Sequence, residues 1–352
     1  MRRGVRARVA FMLVTGLLVL GGCGADEPVV VSRQALGTVV SVTAYGEDED
    51  AVREAIEDAF DAMAAVESQL DAYEPASAIS VLNADPYAER ALPPDAVTVL
   101  DAIDRLDVGA QFSPALLGVA RLYGFEGSQT VPAEDDLALA VGVADGFVRA
   151  DGDRAIFSRL KSDDPRLEPG GELVPGLDFG GAAKGLALDR ARDVLRRSGD
   201  VTAALITAGS TSVTLGTKPD GSVWRIGVED PRETGTVVAV FQFEGDGALS
   251  TSGDYQRAFE AGGVLYHHIL DPASGQPARG MRSLTVAGTN LSGLDSDILS
   301  TALFVKGSGN AAAYAEEAGL ALYLVSDEGR TLLVPAPAES GLVVAEEAAP
   351  KP

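Results

Sequence analysis

The sequence predicts an α+β fold, organised as one compact unit with two lobes. Helix-spaced apolar runs and strand-like alternation both recur along the chain, and neither forms a repeat. No clear linker divides them. The chain has 352 residues, 46% hydrophobic and 23% charged, which suits a globular protein with a sizeable core.

The elements follow in order. Residues 1–22 read as an export leader, with Arg2, Arg3, Arg6 and Arg8 ahead of an apolar VAFMLVTGLLVL too short to span a bilayer well. Residues 23–31 form a tether and 32–335 the folded domain. Residues 34–45 alternate as a strand. In 51–70, Val52, Ala55, Ile56, Ala59, Phe60, Met63, Val66 and Leu70 fall at helical spacing, and the run stops before Pro75. A short helix or turn is expected over 77–83, a helix over 97–106, and another over 113–123 with Pro114 in its first turn. Residues 126–170 are rich in Asp and Pro, with strand-like pieces at 146–150 and 155–158. A strand at 177–181 runs through glycines into a helix over 183–197. Strands follow at 203–208, 212–215, 223–228, 236–243, 264–270 and 283–287, then helices at 297–305 and 310–317. A hairpin of 321–325 and 331–334 closes the domain, and 336–352 is expected to be a frayed tail.

Charge narrows the partners. The formal net charge is −24, and removing the four leader arginines leaves −28. Such a field repels nucleic acid and anionic lipid. A phosphate-bearing ligand therefore needs a local device: a lysine, backbone N–H groups or a divalent cation. A single cysteine excludes disulfides and Cys-based zinc within the chain.

Four segments carry chemistry. In Asp178-Phe-Gly-Gly-Ala-Ala-Lys184-Gly185 a strand passes through glycines into a helix, presenting N–H groups and a lysine to an anion. The same pattern also suits a tight connection with a surface lysine. Asp297 and Thr301 share one helix face, which suits a hard, oxygen-seeking cation, or Asp297 or Ser296 simply caps a helix. His268, one of two histidines, precedes a turn at Asp271-Pro272, where a base or a stacking group would sit; a satisfied strand-end residue is the alternative. Asp271 itself reads as turn chemistry. Thr251-Ser-Gly-Asp254-Tyr255 permits close backbone approach to a ligand, or forms a β-turn.

In this order the segments resemble the ApbE family, FAD:protein FMN transferases and flavin-trafficking lipoproteins, over nearly the whole mature chain. Ala35-Leu-Gly-Thr38 is similar to the family's opening M-G-T strand, and the stretch from Leu70-Asp-Ala-Tyr73 through Ser77 to Asn83 to its S-x-Y…S…N segment. Residues 109–125 resemble its G-x-F-D-P-T…L-W-G-F run. DFGGAAKGLALD, GTKPDGSVWRIGVEDP and the 249–301 run complete the set.

The resemblance implies a two-lobed fold of mixed and antiparallel sheets with flanking helices and an active-site cleft between the lobes. It implies that Leu36, Tyr73, Gln111, Phe112, Ser113, Asp178, Lys184 and Leu270 line an FAD site. Asp297 and Thr301 would bind Mg²⁺, or Ca²⁺, with the Gly181 carbonyl and Ser300, and His268 would act as base toward a Ser or Thr hydroxyl of an acceptor protein. FMN would pass from FAD to that hydroxyl, releasing AMP. Expected acceptors are subunits of a Na⁺-pumping quinone reductase or Rnf-type complex, or secreted flavoproteins. Leu20-Gly21-Gly22-Cys23 resembles a bacterial lipobox, which implies acylation of Cys23 and a membrane tether outside the cytoplasm; a plain secretory leader is the alternative.

Departures from the family pattern bear on activity. Ser113 and Ala115 replace the usual Asp and Thr, Leu186 replaces a common aromatic, and Thr207-Ala-Gly-Ser-Thr211 stands where the family reads N-A-G-G-D. Two further functions therefore stay open: an FAD pyrophosphatase, with water as nucleophile, and a non-catalytic FAD-binding lipoprotein.

Overall fold

A computed structural model describes residues 27–346, apart from 126, 151, 158–163, 169–170 and 172. The expected leader and Cys23 lie outside the described residues. No helix among the described residues is long and apolar enough to cross a membrane.

The chain opens with β1 (Val29–Ala35) and β2 (Thr38–Tyr45), followed by α1 (Glu49–Leu70), α2 (Ala78–Asn83), β3 (Arg90–Ala91) and α3 (Pro94–Leu106). Next come α4 (Leu117–Tyr123), α5 (Glu134–Ala144), β4 (Phe147–Ala150), β5 (Arg154–Phe157), α6 (Ala183–Ser198), β6 (Ala203–Ala208), β7 (Thr211–Leu215), β8 (Trp224–Glu229) and β9 (Val237–Phe243). The remainder is β10 (Gly247–Gly253), β11 (Ala258–Ala261), β12 (Val264–His267), β13 (Met281–Gly288), α7 (Gly293–Lys306), α8 (Ser308–Ala318), β14 (Ala321–Ser326), β15 (Thr331–Val334) and β16 (Leu342–Glu346).

Eight strands form one antiparallel sheet in the order β1-β2-β6-β7-β10-β13-β14-β15. Alternation along each strand sends side chains to opposite faces. Ala204, Ile206, Val213 and Leu284 face a large core under α1, α6 and α7, while Ala203, Leu249, Ala287 and Tyr323 face a second core. That second core is closed by a three-stranded sheet, β8-β9-β16, through Trp224, Phe241 and Phe243. Burial on both faces suits the apolar β6 and β14, whereas β7 and β10 carry buried hydroxyl residues such as Thr211, Ser212 and Ser250.

Helix α1 forms for reasons visible in its sequence. Asp48 accepts from the backbone N–H groups of Asp50 and Ala51, and Glu49 and Asp50 complement the helix dipole. All eight residues expected on its apolar face are buried. Each large one, such as Ile56 or Met63, contributes about 1.5–3 kcal/mol by leaving water.

Several expectations are corrected. Residues 34–45 are not one strand but a hairpin that turns at Leu36 and Gly37, both in the left-handed region (φ 54° and 67°). Leucine there is unusual and carries none of the Asn-Gly signal that marks such turns. Helix α4 starts at Leu117, because Leu116 bridges to Gly176 and the Pro114 carbonyl accepts from Asp178 N–H (2.7 Å). The Asp-rich stretch contains α5, whose first turn holds Glu134, Asp135 and Asp136, where negative charge suits the dipole. Thr251 and Gly253 lie in β10, paired with Thr285 and Ser283 of β13, rather than in a β-turn. The tail is not frayed over 342–346: β16 pairs with β9 and buries Leu342 in the second core. The strand at the other end begins at Val29, inside the expected tether.

A smaller cluster under α4 and α5, with Leu270 and an aromatic ladder of Phe125, Tyr123, Tyr266 and Phe259, stands apart from the large core. The site lies between the two.

Candidate active site

A cleft of about 460 Å³ opens between this aromatic cluster and the facing ends of α6 and α7. Its walls bring together Tyr73, Gln111, Phe112, Ser113, Asp178, Gly181, Lys184, His268, Leu270, Asp297 and Thr301, residues that are up to 228 positions apart in sequence.

The junction of α6 and α7 depends on two glycines. A Cβ on Gly185 would lie 2.1 Å from the Gly293 carbonyl oxygen, and one on Gly293 would lie 2.6 Å from the Gly185 carbonyl oxygen. Asp189 locks the crossing: its carboxylate accepts from Gly293 and Leu294 N–H (2.8 Å each), at the start of α7, and burial pushes its pKa up. This close approach lets Gly185 N–H donate to Asp297 Oδ2 at 3.0 Å.

Asp297 is thus held inside α7, not at its cap. The cap is Ser292, whose Oγ accepts from Asp295 N–H, so neither Asp297 nor Ser296 has that role. Asp297 Oδ1 accepts from Thr211 Oγ1 and Ser250 Oγ, both at 3.1 Å. Lys184 Nζ lies 3.7 Å from Oδ2 and donates to the Gly180 carbonyl at 3.3 Å. The first turn of α6, which has no side-chain cap, points the positive end of its dipole at the same carboxylate. Thr301, one turn further along α7, reaches the cleft; a Cβ on Gly181 would stand 3.8 Å from its Oγ1 and 3.0 Å from the Phe112 ring.

On the outer wall Asp178 Oδ1 accepts from Gly180 N–H (2.8 Å), and its Oδ2 accepts from the Tyr73 hydroxyl (2.9 Å). His268 sits on the opposite wall, its backbone N–H bonded to the Arg257 carbonyl (3.1 Å). Its Nδ1 is enclosed without a hydrogen bond, which leaves Nε2 as the nitrogen open to the cleft. Burial, reinforced by Arg257, His267 and Lys184, pushes its pKa down to about 3, so the ring is neutral near pH 7. Its neighbour His267 is structural: Nε2 bonds the Ala278 carbonyl (2.9 Å) and the ring meets Phe304 edge-on. Asp271 is confined to its turn, accepting from Ala273 N–H and the Ser274 hydroxyl.

Two expected residues do not reach the cleft. Leu36 occupies the β1–β2 hairpin tip and packs half-buried against the large core. Ser300 is fully buried one layer below, with its Oγ donating to the Asp297 carbonyl (3.0 Å) and lying 2.9 Å from Ser252 Oγ. Periodicity groups i+3 and i+4 on one face but does not say which of them meets the opening. Thr251 and Ser252, from the segment expected to approach a ligand, line the cleft; Arg121, Arg257 and Ser210 also line it and were not expected there, nor were Thr211 and Ser250 beneath Asp297. The only signal for the hydroxyls was their spacing of two along strand sequence, as at Ser250 and Ser252.

The donors suit a hard cation in kind. Among the described residues no group of three His, Cys, Asp or Glu converges. Asp297, Thr301 and main-chain oxygen nevertheless form an all-oxygen set, and Mg²⁺ is commonly bound by one or two carboxylates together with substrate phosphates. With Oδ1 taking two donors and Oδ2 one, a lone-pair position remains on Oδ2.

A basic rim of Lys184, Arg121 and Arg257, a buried oxygen set and a neutral histidine define an α+β protein whose cleft is suited in charge to an anionic ligand. The sequence profile of the ApbE family matches residues 36–324. The chain belongs to that family.

It is 31% identical over 319 residues to the FAD:protein FMN transferase of Treponema pallidum, a match covering 84% of each chain. It is 32% identical over 227 residues to the FAD:protein FMN transferase of Rhodobacter capsulatus, covering 64% of this chain but 40% of that protein. Among solved structures it resembles the ApbE protein of Thermotoga maritima, with TM-score 0.75, 26% identity, and 87% and 97% of the two chains covered. The apo form of the Pseudomonas stutzeri flavinyl transferase ApbE gives TM-score 0.68 at 28% identity, covering 91% and 95%.

Proposed function

We propose that this protein is an FAD:protein FMN transferase. The observation that carries the reading is the meeting of Lys184, Asp297, Thr301 and His268 in one cleft, in a family whose Treponema and Rhodobacter members bear that name. A Ser or Thr hydroxyl of an acceptor protein attacks the FMN phosphorus of FAD. A new P–O bond forms, the pyrophosphate P–O bond breaks, and AMP leaves.

Each residue has a part. Lys184 and the α6 N-terminus draw the pyrophosphate into an otherwise negative molecule. Tyr73, Phe112, Asp178 and Leu270 orient the flavin half, with Gln111 and Ser113 beside them. His268 Nε2, neutral at physiological pH, accepts the hydroxyl proton. Asp297, Thr301 and the Gly181 carbonyl would hold Mg²⁺, or Ca²⁺, which supplies Lewis-acid polarisation of the pyrophosphate when bound.

Acceptors of the kind found in Na⁺-pumping quinone reductase and Rnf-type complexes, or secreted flavoproteins, fit the reading. So does attachment through an acylated Cys23 at the extracytoplasmic face of a bacterial membrane, which mass spectrometry of the mature N-terminus would test. Incubating the protein with FAD, Mg²⁺ and co-encoded acceptors should give covalent, fluorescent FMN on the acceptor. Release of free FMN and AMP without an acceptor would identify a pyrophosphatase instead. FAD binding with neither product would identify a carrier.

A further inference from the structure

We propose that Thr211 and Ser250 are positioning residues that fix the plane of the Asp297 carboxylate and so set how tightly the cleft holds a divalent cation. The inference rests on the reading of Asp297 as a cation ligand.

The two residues are register partners on adjacent strands, Ser250 of β10 opposite Thr211 of β7. Their side chains therefore leave the sheet side by side toward α7. Both are fully buried. Their hydroxyl oxygens are 2.9 Å apart, and each is 3.1 Å from Asp297 Oδ1. Each hydroxyl has one proton. With both directed at Oδ1, the carboxylate oxygen gains two charge-assisted bonds and the contact between the hydroxyls carries none.

The other oxygen is fixed separately by Gly185 N–H. An aspartate's terminal torsion is broad when unrestrained. Here one oxygen is gripped from the sheet and the other from α6, so the carboxylate plane cannot turn. The lone-pair position left on Oδ2 then keeps one direction. Because the two hydroxyls are neutral, they orient Asp297 without adding negative charge. Outer partners of ligating carboxylates commonly change metal affinity by about 10–100-fold when removed.

A comparison lies within the same sheet. Thr207 and Ser212 are also register partners, with hydroxyls 3.0 Å apart, but no bond joins either to Asp297. Thr207→Val removes a hydroxyl pair of the same kind without touching the carboxylate.

The test is Mn²⁺ binding to the full chain, read by electron paramagnetic resonance of the free ion, with and without saturating FAD. Thr211→Val, nearly isosteric, and Ser250→Ala should each weaken Mn²⁺ by about 10–100-fold. Thr211→Ser should restore affinity, and Thr207→Val should leave it unchanged. With FAD and acceptor, Thr211→Val should raise the KM for Mg²⁺ and spare kcat at saturating Mg²⁺. Melting curves accompany each variant, and Ser250→Ala removes the same bond from the other strand if Thr211→Val folds poorly. Wild-type Mn²⁺ affinity in both Thr211→Val and Ser250→Ala would overturn the proposal, provided Asp297→Asn abolishes binding. Unchanged binding in Asp297→Asn, or none in the wild type with FAD present, would overturn the cation-ligand reading and this proposal together.

Discussion

Replacing Gly185 by alanine tests the helix crossing on which the whole cleft depends. The new Cβ would meet the Gly293 carbonyl oxygen at 2.1 Å, its carbon at 2.5 Å and Leu294 N at 2.8 Å, all backbone atoms that no rotamer change can move. Carbon–oxygen contacts of this kind settle near ~3.3 Å, so α6 and α7 must part by roughly 1 Å. That stretches the 3.0 Å bond from Gly185 N–H to Asp297 beyond hydrogen-bonding range. Overpacking costs about 1–3 kcal/mol, and losing a hydrogen bond to a charged group about 1.5–3. Alanine returns about 1 kcal/mol of helix propensity. The net is a destabilisation of roughly 1.5–5 kcal/mol, read from the urea midpoint at constant m. Gly142→Ala in α5 is the control: nothing lies within 4 Å of its Cβ, so it should stabilise by about 0.4–1 kcal/mol. If Gly185→Ala unfolds at the wild-type midpoint and binds Mn²⁺ normally, the close-crossing argument is wrong.

Other expectations concern the cleft and the second core. His268→Asn should lower turnover by about 10²–10⁴-fold, the range for loss of a general base. Because its folded pKa is near 3, the wild-type rate should show no inflection from this ring near pH 6.5. The unfolded chain takes up that proton first, so this ring's contribution to stability should be complete above pH 6.5 and fall as pH drops toward 3, a decline that His268→Asn should lessen in pH-dependent urea titrations. Lys184→Met should raise the KM for FAD more than it lowers kcat, because the lysine holds ground-state phosphate; equal loss in both would contradict that. Trp224→Ala empties part of the core between the two sheets, where the indole is buried and donates to the Gly216 carbonyl (2.9 Å). It should cost about 3–5 kcal/mol by circular dichroism melts, and a smaller loss would mean that the sheets collapse onto the gap.

Most of the architecture was legible where periodicity and termini agreed. Helix α1 announces itself through eight apolar residues at helical spacing and Asp48 ahead of them. That these segments meet in one cleft was legible only as a family pattern, since Asp178–Lys184, His268 and Asp297 lie in separate stretches that no spacing joins. What escaped did so for physical reasons. Leu36 takes a left-handed turn that leucine rarely adopts, which split one strand into two and moved it out of the cleft. Thr211 and Ser250 look like ordinary strand residues, because a buried hydroxyl partner is invisible until the strands are paired. Strand β16 sits in an Ala- and Glu-rich segment, and its pairing with β9 is decided by Leu342 meeting an apolar sheet face, a tertiary effect.

That last strand also imposes an order on how the molecule comes into being. Strand β9 lies between β8 and β16, and β16 is made about a hundred residues after β9. Until residues 342–346 emerge, β9 keeps one open edge and the second core lacks Leu342, so a nascent chain would carry an unprotected strand edge beside exposed apolar surface. This late-made strand thus acts as a seal on the second core, and the interval before it arrives is when that core most needs protection from other chains.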